Sequence, residues 1–251
     1  MNSASQQVLV GIDDTDNIDS RGTGFRAREF GRELAGVGLA KIRGISRHQL
    51  FVHPDIPYTS HNSALCLDID WHGGPIDRLA ELTRDYLGRT AAPGSDAGLC
   101  IAAFEEIGAE IVGFGERSKG EVLTKQEAMA LAARAGFRLE GVTGDHGGII
   151  GALGCVGLRK TGNDGRFVWV EGVRELDGIT TAGHLLEATG IDVLRNVSGP
   201  KEPGAEDLID VAPWPRPVLL DHKAVLLIEE REVPHDTVGW RIVPREGTKH
   251  Y

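Results

Sequence analysis

Three carboxylates and a hydroxyl follow one another near the start of the chain. The apolar stretch 7–12 predicts a β-strand, and this strand leads directly into Asp13, Asp14, Thr15 and Asp16. Carboxylates this close repel one another unless a cation or hydrogen-bond donors compensate their charge. A hard divalent ion such as Mg²⁺ accepts such oxygens while keeping waters and phosphate oxygens as further ligands. The pattern therefore favours a metal and phosphate site, against the alternative of a solvated turn in which the Asp side chains cap backbone amides.

A second candidate segment is the glycine-rich stretch 144–154, GDHGGIIGALG, which leads into a short apolar helix. Backbone amides in such a loop can converge on an anion, and the start of a helix adds partial positive charge. We therefore expect Gly147, Gly148 and Gly151 to bind phosphate, with His146 as a candidate proton acceptor beside Asp16. The alternative is a tight turn in which small residues allow close packing of a buried helix. The signatures GxxxxGK[ST] and GxGxxG between a strand and a helix are absent from the sequence.

The residues just before the first predicted helix add a cation and a hydroxyl. Arg21, Gly22 and Thr23 are assigned to cofactor binding, with Thr23 as the expected N-cap of the helix. Arg21 or Arg26 would offset the negative charge that develops on a transferred phosphoryl group.

A polar segment around the second predicted strand supplies candidate substrate contacts. Pro54 and Pro57 stiffen an extended loop that follows this strand, so the loop can present side chains to a ligand. The candidates in and after the strand are Arg47, His48, Tyr58, His61 and Asn62. A plain structural loop is the alternative, because isolated histidines are more often hydrogen-bonded groups than catalysts.

The elements that must position these residues alternate between strands and helices. Strands are predicted at 7–12, 42–52, 64–71 and 98–103. One helix begins at Thr23, with an apolar stripe of Ala27, Phe30, Leu34 and Val37, and a second begins after Pro75. This order predicts a ferredoxin-like arrangement, in which helices pack on one face of an antiparallel sheet.

The second half of the chain continues as a mixture of helices and strands. Thr124 and Glu127 form a capping box that predicts a helix at about 125–135, and strands are expected at 137–142 and 167–172. The proline-rich segment 196–217 predicts a loop that leads to a hairpin near 218–230. The expected fold class is thus α+β, with ferredoxin-like and kinase-like domains built on antiparallel or mixed sheets. The expected domains are 1–110, with the acidic motif, and 111–251, with the glycine-rich loop.

Composition limits the classes of protein that this chain can belong to. Its 251 residues carry 27 basic and 37 acidic side chains, a net charge of −10, which argues against binding nucleic acid through bulk charge. Three separated cysteines indicate neither a disulfide framework nor a four-cysteine zinc site. Neither an export signal nor an apolar run long enough for a membrane span is present, so we expect a cytoplasmic protein with no membrane partner.

Several short motifs together resemble the archaeal tRNA-isoleucine agmatinylcytidine synthetase family. They occur in the family's order and rough spacing and cover roughly residues 8–230: GIDDTD, RGTGFRAREFGREL, HPDIPYTSHNSA, SDAGL and GGIIGALGCVGL. The resemblance implies a kinase-like and a ferredoxin-like domain in a shortened, bacterial-type relative. It also implies that ATP and Mg²⁺ activate a carbonyl oxygen of a tRNA cytosine by phosphorylation, after which an amine displaces the phosphate. Asp13, Asp14 and Asp16 match the family's acidic metal and ATP site.

The sequence departs from the family at three points. The family's adjacent threonines, one of them phosphorylated, reduce here to a shifted Thr23. Its C-terminal OB domain and zinc ribbon have no counterpart in this sequence, and its arginine and asparagine before the proline-rich loop are replaced by Phe51 and His53. With the net charge of −10, these departures leave tRNA a doubtful partner and favour a small-molecule acceptor.

The resulting functional prediction is an ATP- and Mg²⁺-dependent kinase- or ligase-like enzyme. It would activate a carbonyl or hydroxyl oxygen of an unidentified acceptor, with an amine as a possible co-substrate. One alternative is tRNA cytidine modification with a separate RNA-binding partner. A second alternative is a noncatalytic regulator that binds a nucleotide.

Overall fold

A computed structural model describes residues 5–56, 62–235, 238–248 and 251. The chain divides by Cα proximity into two units, Met1–Thr161 and Gly162–Tyr251. The predicted boundary was near residue 110, whereas the first unit runs about 50 residues further. The reason is that later elements of the first unit, described below, pair with its sheet and pack on it.

The first unit begins with a βαββαβ segment in the predicted element order. Its elements are β1 (Gln6–Asp13), α1 (Thr23–Gly36), β2 (Ala40–Gln49), β3 (Ser63–Trp71), α2 (Ile76–Thr90) and β4 (Gly98–Ala103). It continues with α3 (Ala109–Arg117), α4 (Lys125–Ala135), β5 (Arg138–Gly141) and α5 (Ile149–Thr161). Within this unit the strand order is β5-β4-β1-β3-β2, and every neighbouring pair is antiparallel.

Helix α1 forms because its apolar residues recur at helical spacing. Ala27, Phe30 and Leu34 are buried on one face, as the sequence predicts. Val37 does not belong to this stripe, because it lies after the helix and is 70% exposed. Thr23 is also not the N-cap: Gly22 holds that position, and Thr23 is the first helical residue.

Helix α4 begins and ends as predicted. Thr124 accepts a hydrogen bond from the Glu127 amide, which satisfies a donor at the start of the helix. Gly136 adopts a left-handed conformation directly after its last residue. Both ends of α4 are therefore determined by local sequence.

Helix α5 is buried on nearly every side. It contacts β1, β3 and β4 of the sheet and also helix α3. Glycines allow this close approach: a Cβ at Gly11 in β1 would lie 2.1 Å from the Ala152 carbonyl oxygen of α5. In the same way, a Cβ at Gly157 would lie 2.2 Å from the Ile111 carbonyl oxygen of α3. Small residues therefore bring the backbone of α5 into contact with the sheet.

The second unit has its own set of strands and its own core. Its elements are β6 (Arg166–Trp169), β7 (Ile179–Thr181), α6 (Ala182–Ala188), β8 (Val193–Asn196), β9 (Leu208–Asp210), β10 (Val218–Leu220), β11 (Lys223–His235) and β12 (Val238–Ile242). The strand order is β6-β10-β11-β12-β9-β7, with β8 parallel to β11. The predicted hairpin near 218–230 is the antiparallel pair β10 and β11, and the predicted loop 196–217 contains the short strand β9. Trp240 is buried in the core of this unit.

The α+β fold class is confirmed. Both units combine helices with strands, and the strand pairs within the first unit are all antiparallel. In the part of the chain that the structure describes, none of the helices has both the length and the apolar character that crossing a membrane requires.

The contact between Gly11 and α5 gives a test of the fold. Gly11→Ala forces the new methyl group into the Ala152 carbonyl, so we expect it to lower the free energy of unfolding by about 2–4 kcal/mol. The control is Gly113→Ala inside α3, where a Cβ meets no atom within 4 Å. Because alanine favours a helix over glycine, this variant should gain up to about 1 kcal/mol. Urea unfolding measures both changes, and equal stabilities of the two variants would contradict the close packing of α5.

Candidate active site

A pocket of about 230 Å³ opens at the end of β1. The acidic motif and part of the glycine-rich loop both line it, so the structure brings together two segments that are far apart in the sequence. The side chains and backbone around it are Asp13, Asp14, Asp16, Thr23, Leu50, Asp55, Ile56, Asn62, Ser63, Ser118, Glu121, Val122, Leu123, Lys125, Asp145, Gly147, Gly148, Ile150 and Gly151. All of these residues belong to the first unit.

Asp13 and Asp14 lie where the strand ends and the chain turns. Asp14 has a φ of 51°, a left-handed conformation that asparagine and aspartate tolerate better than most residues. Burial, helped by the charges of Asp14 and Asp16, raises the pKa of Asp13 from its ordinary value of 3.8 to about 7. Burial likewise raises the pKa of Asp14 to about 6, together with the charges of Asp96 and Asp16. The folded chain therefore disfavours the ionised form of both carboxyl groups, which a bound cation would reverse.

Asp16 has a different environment, because it is hydrogen-bonded to the start of α1. The Thr23 hydroxyl donates to Asp16 Oδ1 at 2.7 Å. The same hydroxyl accepts from the Thr15 amide at 3.3 Å and from the Thr15 hydroxyl at 3.0 Å. Thr23 lines the pocket, and its oxygen is within proton-transfer distance of a carboxylate.

Four amides of the glycine-rich loop have acceptors within the protein. The Gly147 amide donates to Asp145 Oδ1 at 2.8 Å, and the Gly148 amide donates to the Asp96 carbonyl at 2.9 Å. The Ile149 and Ile150 amides donate to the carbonyls of His146 and Gly147. These four amides are therefore not free donors for a phosphate in this conformation.

Gly148 and Gly151 instead permit close packing. A Cβ at Gly148 would lie 2.7 Å from the Gly98 amide nitrogen and 2.8 Å from the Asp13 carbonyl oxygen. A Cβ at Gly151 would lie 1.9 Å from Asp13 Oδ2. The packing alternative from the sequence thus describes these glycines better than the phosphate alternative. Their absence of side chains leaves room for the Asp13 carboxylate beside the first turn of α5.

The segment between α3 and α4 supplies pocket residues that sequence reasoning missed. Ser118, Glu121 and Lys125 all line the cavity. Lys125 Nζ donates to the Asp145 carbonyl at 2.6 Å and lies 3.4 Å from Asp145 Oδ2. Among the described residues that line the pocket, Lys125 is the only lysine or arginine, against six carboxylates. The capping box places Lys125 at the start of a helix. The sequence does not indicate that this helix packs beside the acidic motif.

Asp96 is a second residue without a predicted role. Its Oδ1 accepts from the Asp145 amide at 2.6 Å, and its charge contributes to the raised pKa of Asp14. Asp96 therefore connects the acidic motif to the glycine-rich loop. The one indication in the sequence that Asp96 belongs to the site was its position in the SDAGL motif.

Several predicted cofactor residues lie outside the pocket. The Arg21 guanidinium stacks on the Phe25 ring at 4.0 Å, and Gly22 is the N-cap of α1. Arg26 is buried, and its guanidinium donates to the carbonyls of Thr90 and Arg21, so it holds the backbone instead of facing a phosphate. His146 is exposed and packs its ring against Gly141. The expected roles of Arg21, Gly22, Arg26 and His146 in the site therefore lack geometric support.

The predicted substrate residues divide in the same way. Asn62 lines the pocket, and its side-chain amide donates to the Phe51 carbonyl at 2.5 Å. His48 is fully buried in the sheet, where its Nε2 lies 2.7 Å from the Ser46 hydroxyl. Arg47 lies against Gly24 of α1 and does not line the cavity. Tyr58 and His61 fall outside the described residues.

The acidic residues do not form a complete metal site by themselves. Within residues 5–56, 62–235, 238–248 and 251, no three histidine, cysteine or carboxylate side chains are grouped closely enough to hold a metal ion. Mg²⁺ commonly binds through one or two carboxylates and takes its other ligands from water and substrate phosphates. The hard oxygen donors of Asp13 and Asp14 fit that mode of binding.

Comparisons with known proteins identify a shared fold. No protein-family profile and no curated protein sequence matches the chain. Among solved structures, a tRNA fluorescent labelling enzyme matches at 24% identity and a TM-score of 0.53, over 60% of this chain and 36% of that one. A complex of TiaS with an isoleucine tRNA and ATP matches at 24% identity and a TM-score of 0.53, over 61% and 36%. A complex of TiaS with the same tRNA, AMPCPP and agmatine matches at 23% and 0.52, over 60% and 36%.

These matches show a TiaS-like fold and confirm the resemblance at that level. The chain spans about a third of the length of the proteins it matches. They also overturn the view that tRNA is a doubtful partner, since two of the structures that share this fold are complexes of TiaS with tRNA. The charge argument was wrong because net charge describes the average of the whole surface and not a local binding groove.

The raised pKa of Asp13 predicts how stability depends on pH without a metal. The folded state binds the proton more tightly than the unfolded state, so stability is lost as the pH rises from about 4 to about 7. Asp13→Asn removes this cost, and we expect it to raise the free energy of unfolding by about 2 kcal/mol at pH 8, with little difference near pH 4. Denaturant unfolding in the presence of a chelator measures the change. A variant less stable than wild type at pH 8 would show that the carboxylate is already neutralised within the fold.

Proposed function

We propose that this chain is an ATP- and Mg²⁺-dependent phosphoryl-transfer enzyme that acts on a tRNA nucleoside. The observation that carries the proposal is the acidic pocket at the end of β1, where Asp13 and Asp14 have raised pKa values at a junction of strand, helix and loop. Perturbed carboxylates in a cavity are characteristic of functional sites. The TiaS-like fold, with TiaS structures that hold ATP or AMPCPP together with tRNA, supports the choice of ligands.

The negative charge of the pocket lining favours binding of a cation. Its described lining contains six carboxylates and one lysine, so a nucleotide triphosphate alone would be repelled. A bound Mg²⁺ ion would supply charge neutralisation to both the carboxylates and the phosphates. Asp13 and Asp14 are the residues that would hold it, because burial and neighbouring negative charge make an added cation most favourable at these two groups.

The proposed reaction has two steps. An oxygen of the acceptor forms a bond to the γ-phosphorus of ATP while the bond from that phosphorus to the bridging oxygen breaks, and ADP leaves. The nitrogen of an amine then bonds to the activated carbon, the carbon–oxygen bond breaks, and inorganic phosphate leaves. The TiaS complex that also contains agmatine supports an amine as the second substrate.

Residues of this chain position the reactants and move protons. Asp16 accepts a hydrogen bond from the Thr23 hydroxyl, which makes it the candidate acceptor for a proton within the pocket. His146, the other candidate from the sequence, does not line the cavity. Asp55 adds negative charge that favours a cationic amine over a neutral one.

Removal of one acidic side chain tests the metal and ATP site. We expect Asp14→Ala to lower Mg²⁺-dependent ATP turnover at least 100-fold (about 3 kcal/mol), since a ligand of the charge-neutralising ion is lost. Asp85→Ala is the matched control, because Asp85 is an exposed carboxylate on α2 that does not line the pocket. Phosphate release with and without Mg²⁺ measures turnover. Equal turnover in both variants would exclude the acidic motif, and ATP binding without turnover in wild type would instead indicate a noncatalytic nucleotide-binding protein.

Binding of RNA tests the acceptor class. We expect filter binding to show preference for an unmodified isoleucine tRNA transcript over another tRNA of equal length. Its affinity should fall as salt rises from about 50 to 200 mM, because phosphate contacts release counterions. Binding that is equally weak for both RNAs at every salt concentration would contradict a tRNA acceptor for this chain acting alone. The binding assay is repeated with an excess of the amine and ATP, because tRNA could require both to be bound first.

A further inference from the structure

The acidic pocket poses a problem for any bound phosphate. A triphosphate needs hydrogen-bond donors and positive charge, but six carboxylates line the cavity. The amides of Gly147, Gly148, Ile149 and Ile150 already have acceptors within the protein. A bound divalent cation would neutralise part of the phosphate charge, but it donates no hydrogen bond. A protein donor must therefore come from elsewhere in the lining.

Lys125 is placed to be that donor. It is the only lysine or arginine among the described residues of the pocket lining, and its side chain is 44% exposed. Its ammonium group donates to the Asp145 carbonyl at 2.6 Å and lies 3.4 Å from Asp145 Oδ2. An ammonium group has three donors, and a pair as exposed as this one is weak. Lys125 can therefore exchange Asp145 for a more highly charged phosphate at little cost.

The backbone beneath Lys125 is well anchored. Lys125 is the first residue of α4, and the Thr124 side chain caps the helix by accepting from the Glu127 amide. The start of this helix adds partial positive charge next to the ammonium group. Nearby carboxylates are already paired, because the Arg117 guanidinium binds Glu121 at 2.8 Å and Glu127 at 2.5 Å. Glu121 and Glu127 therefore contact Arg117, whereas Lys125 contacts Asp145.

We infer that Lys125 binds the terminal phosphate oxygens of the nucleotide, in the role that the sequence suggested for the loop amides. This inference rests on the proposed function, because it assumes that a nucleotide occupies the pocket. On phosphate binding, Lys125 Nζ leaves Asp145 and the glycine-rich loop keeps its internal hydrogen bonds. Lys125 therefore distinguishes nucleotides by the number of their phosphates and not by their base.

Calorimetric titration of a nucleotide series tests this inference without turnover. The probes are a nonhydrolysable ATP analogue and ADP, each with Mg²⁺, and AMP. We expect Lys125→Met to weaken binding of the ATP analogue about 10- to 100-fold, since a charge-assisted hydrogen bond is lost, and to change AMP binding less than about twofold. Lys125→Arg should recover part of the loss. The control is Lys119→Met, because Lys119 is an exposed lysine in the loop between α3 and α4 that does not line the pocket.

The other outcomes separate the inference from the proposed function. Equal weakening of all three ligands by Lys125→Met would mean that Lys125 only supports the pocket, and would overturn the inference while leaving ATP binding intact. Unchanged binding of the ATP analogue would overturn it in the same way. If wild type binds none of the three nucleotides, the proposed function fails and the inference fails with it. Thermal unfolding of each variant confirms that the change in affinity does not come from loss of the fold.

Discussion

The whole site depends on how closely helix α5 approaches the sheet. A side chain at Gly11 would collide with the Ala152 carbonyl, and one at Gly98 would lie 2.3 Å from the Ile149 amide nitrogen. These contacts join the ends of β1 and β4 to the first turn of α5. Because Gly151 belongs to that turn, the Asp13 carboxylate has room beside it. Backbone packing therefore creates the cavity, and the acidic motif borders the cavity because β1 ends there.

Electrostatics gives this cavity its chemical character. Burial and mutual repulsion raise the pKa of Asp13 to about 7 and that of Asp14 to about 6, so the fold is less stable when both are ionised without a cation. A bound cation would remove this loss of stability, because it offsets the negative charge of the two carboxylates. The single lysine of the described lining then complements the cation by offering a donor to the anion that the cation would accompany.

The fold shared with the TiaS structures covers only part of each protein. The TiaS structures match this chain over about 60% of its residues, and the chain spans about a third of their length. The rest of those proteins has no matched counterpart here.

The sequence by itself determined local elements. Strand β1 and helix α4 with its Thr124 cap follow from apolar spacing and capping, which act over a few residues. Only the tertiary structure decided which distant residues face the same cavity. It brought Lys125 and Glu121 to the site, and it buried His48 and turned His146 away. Such outcomes depend on how whole helices and strands pack, and packing is a property of contacts between residues far apart in the chain.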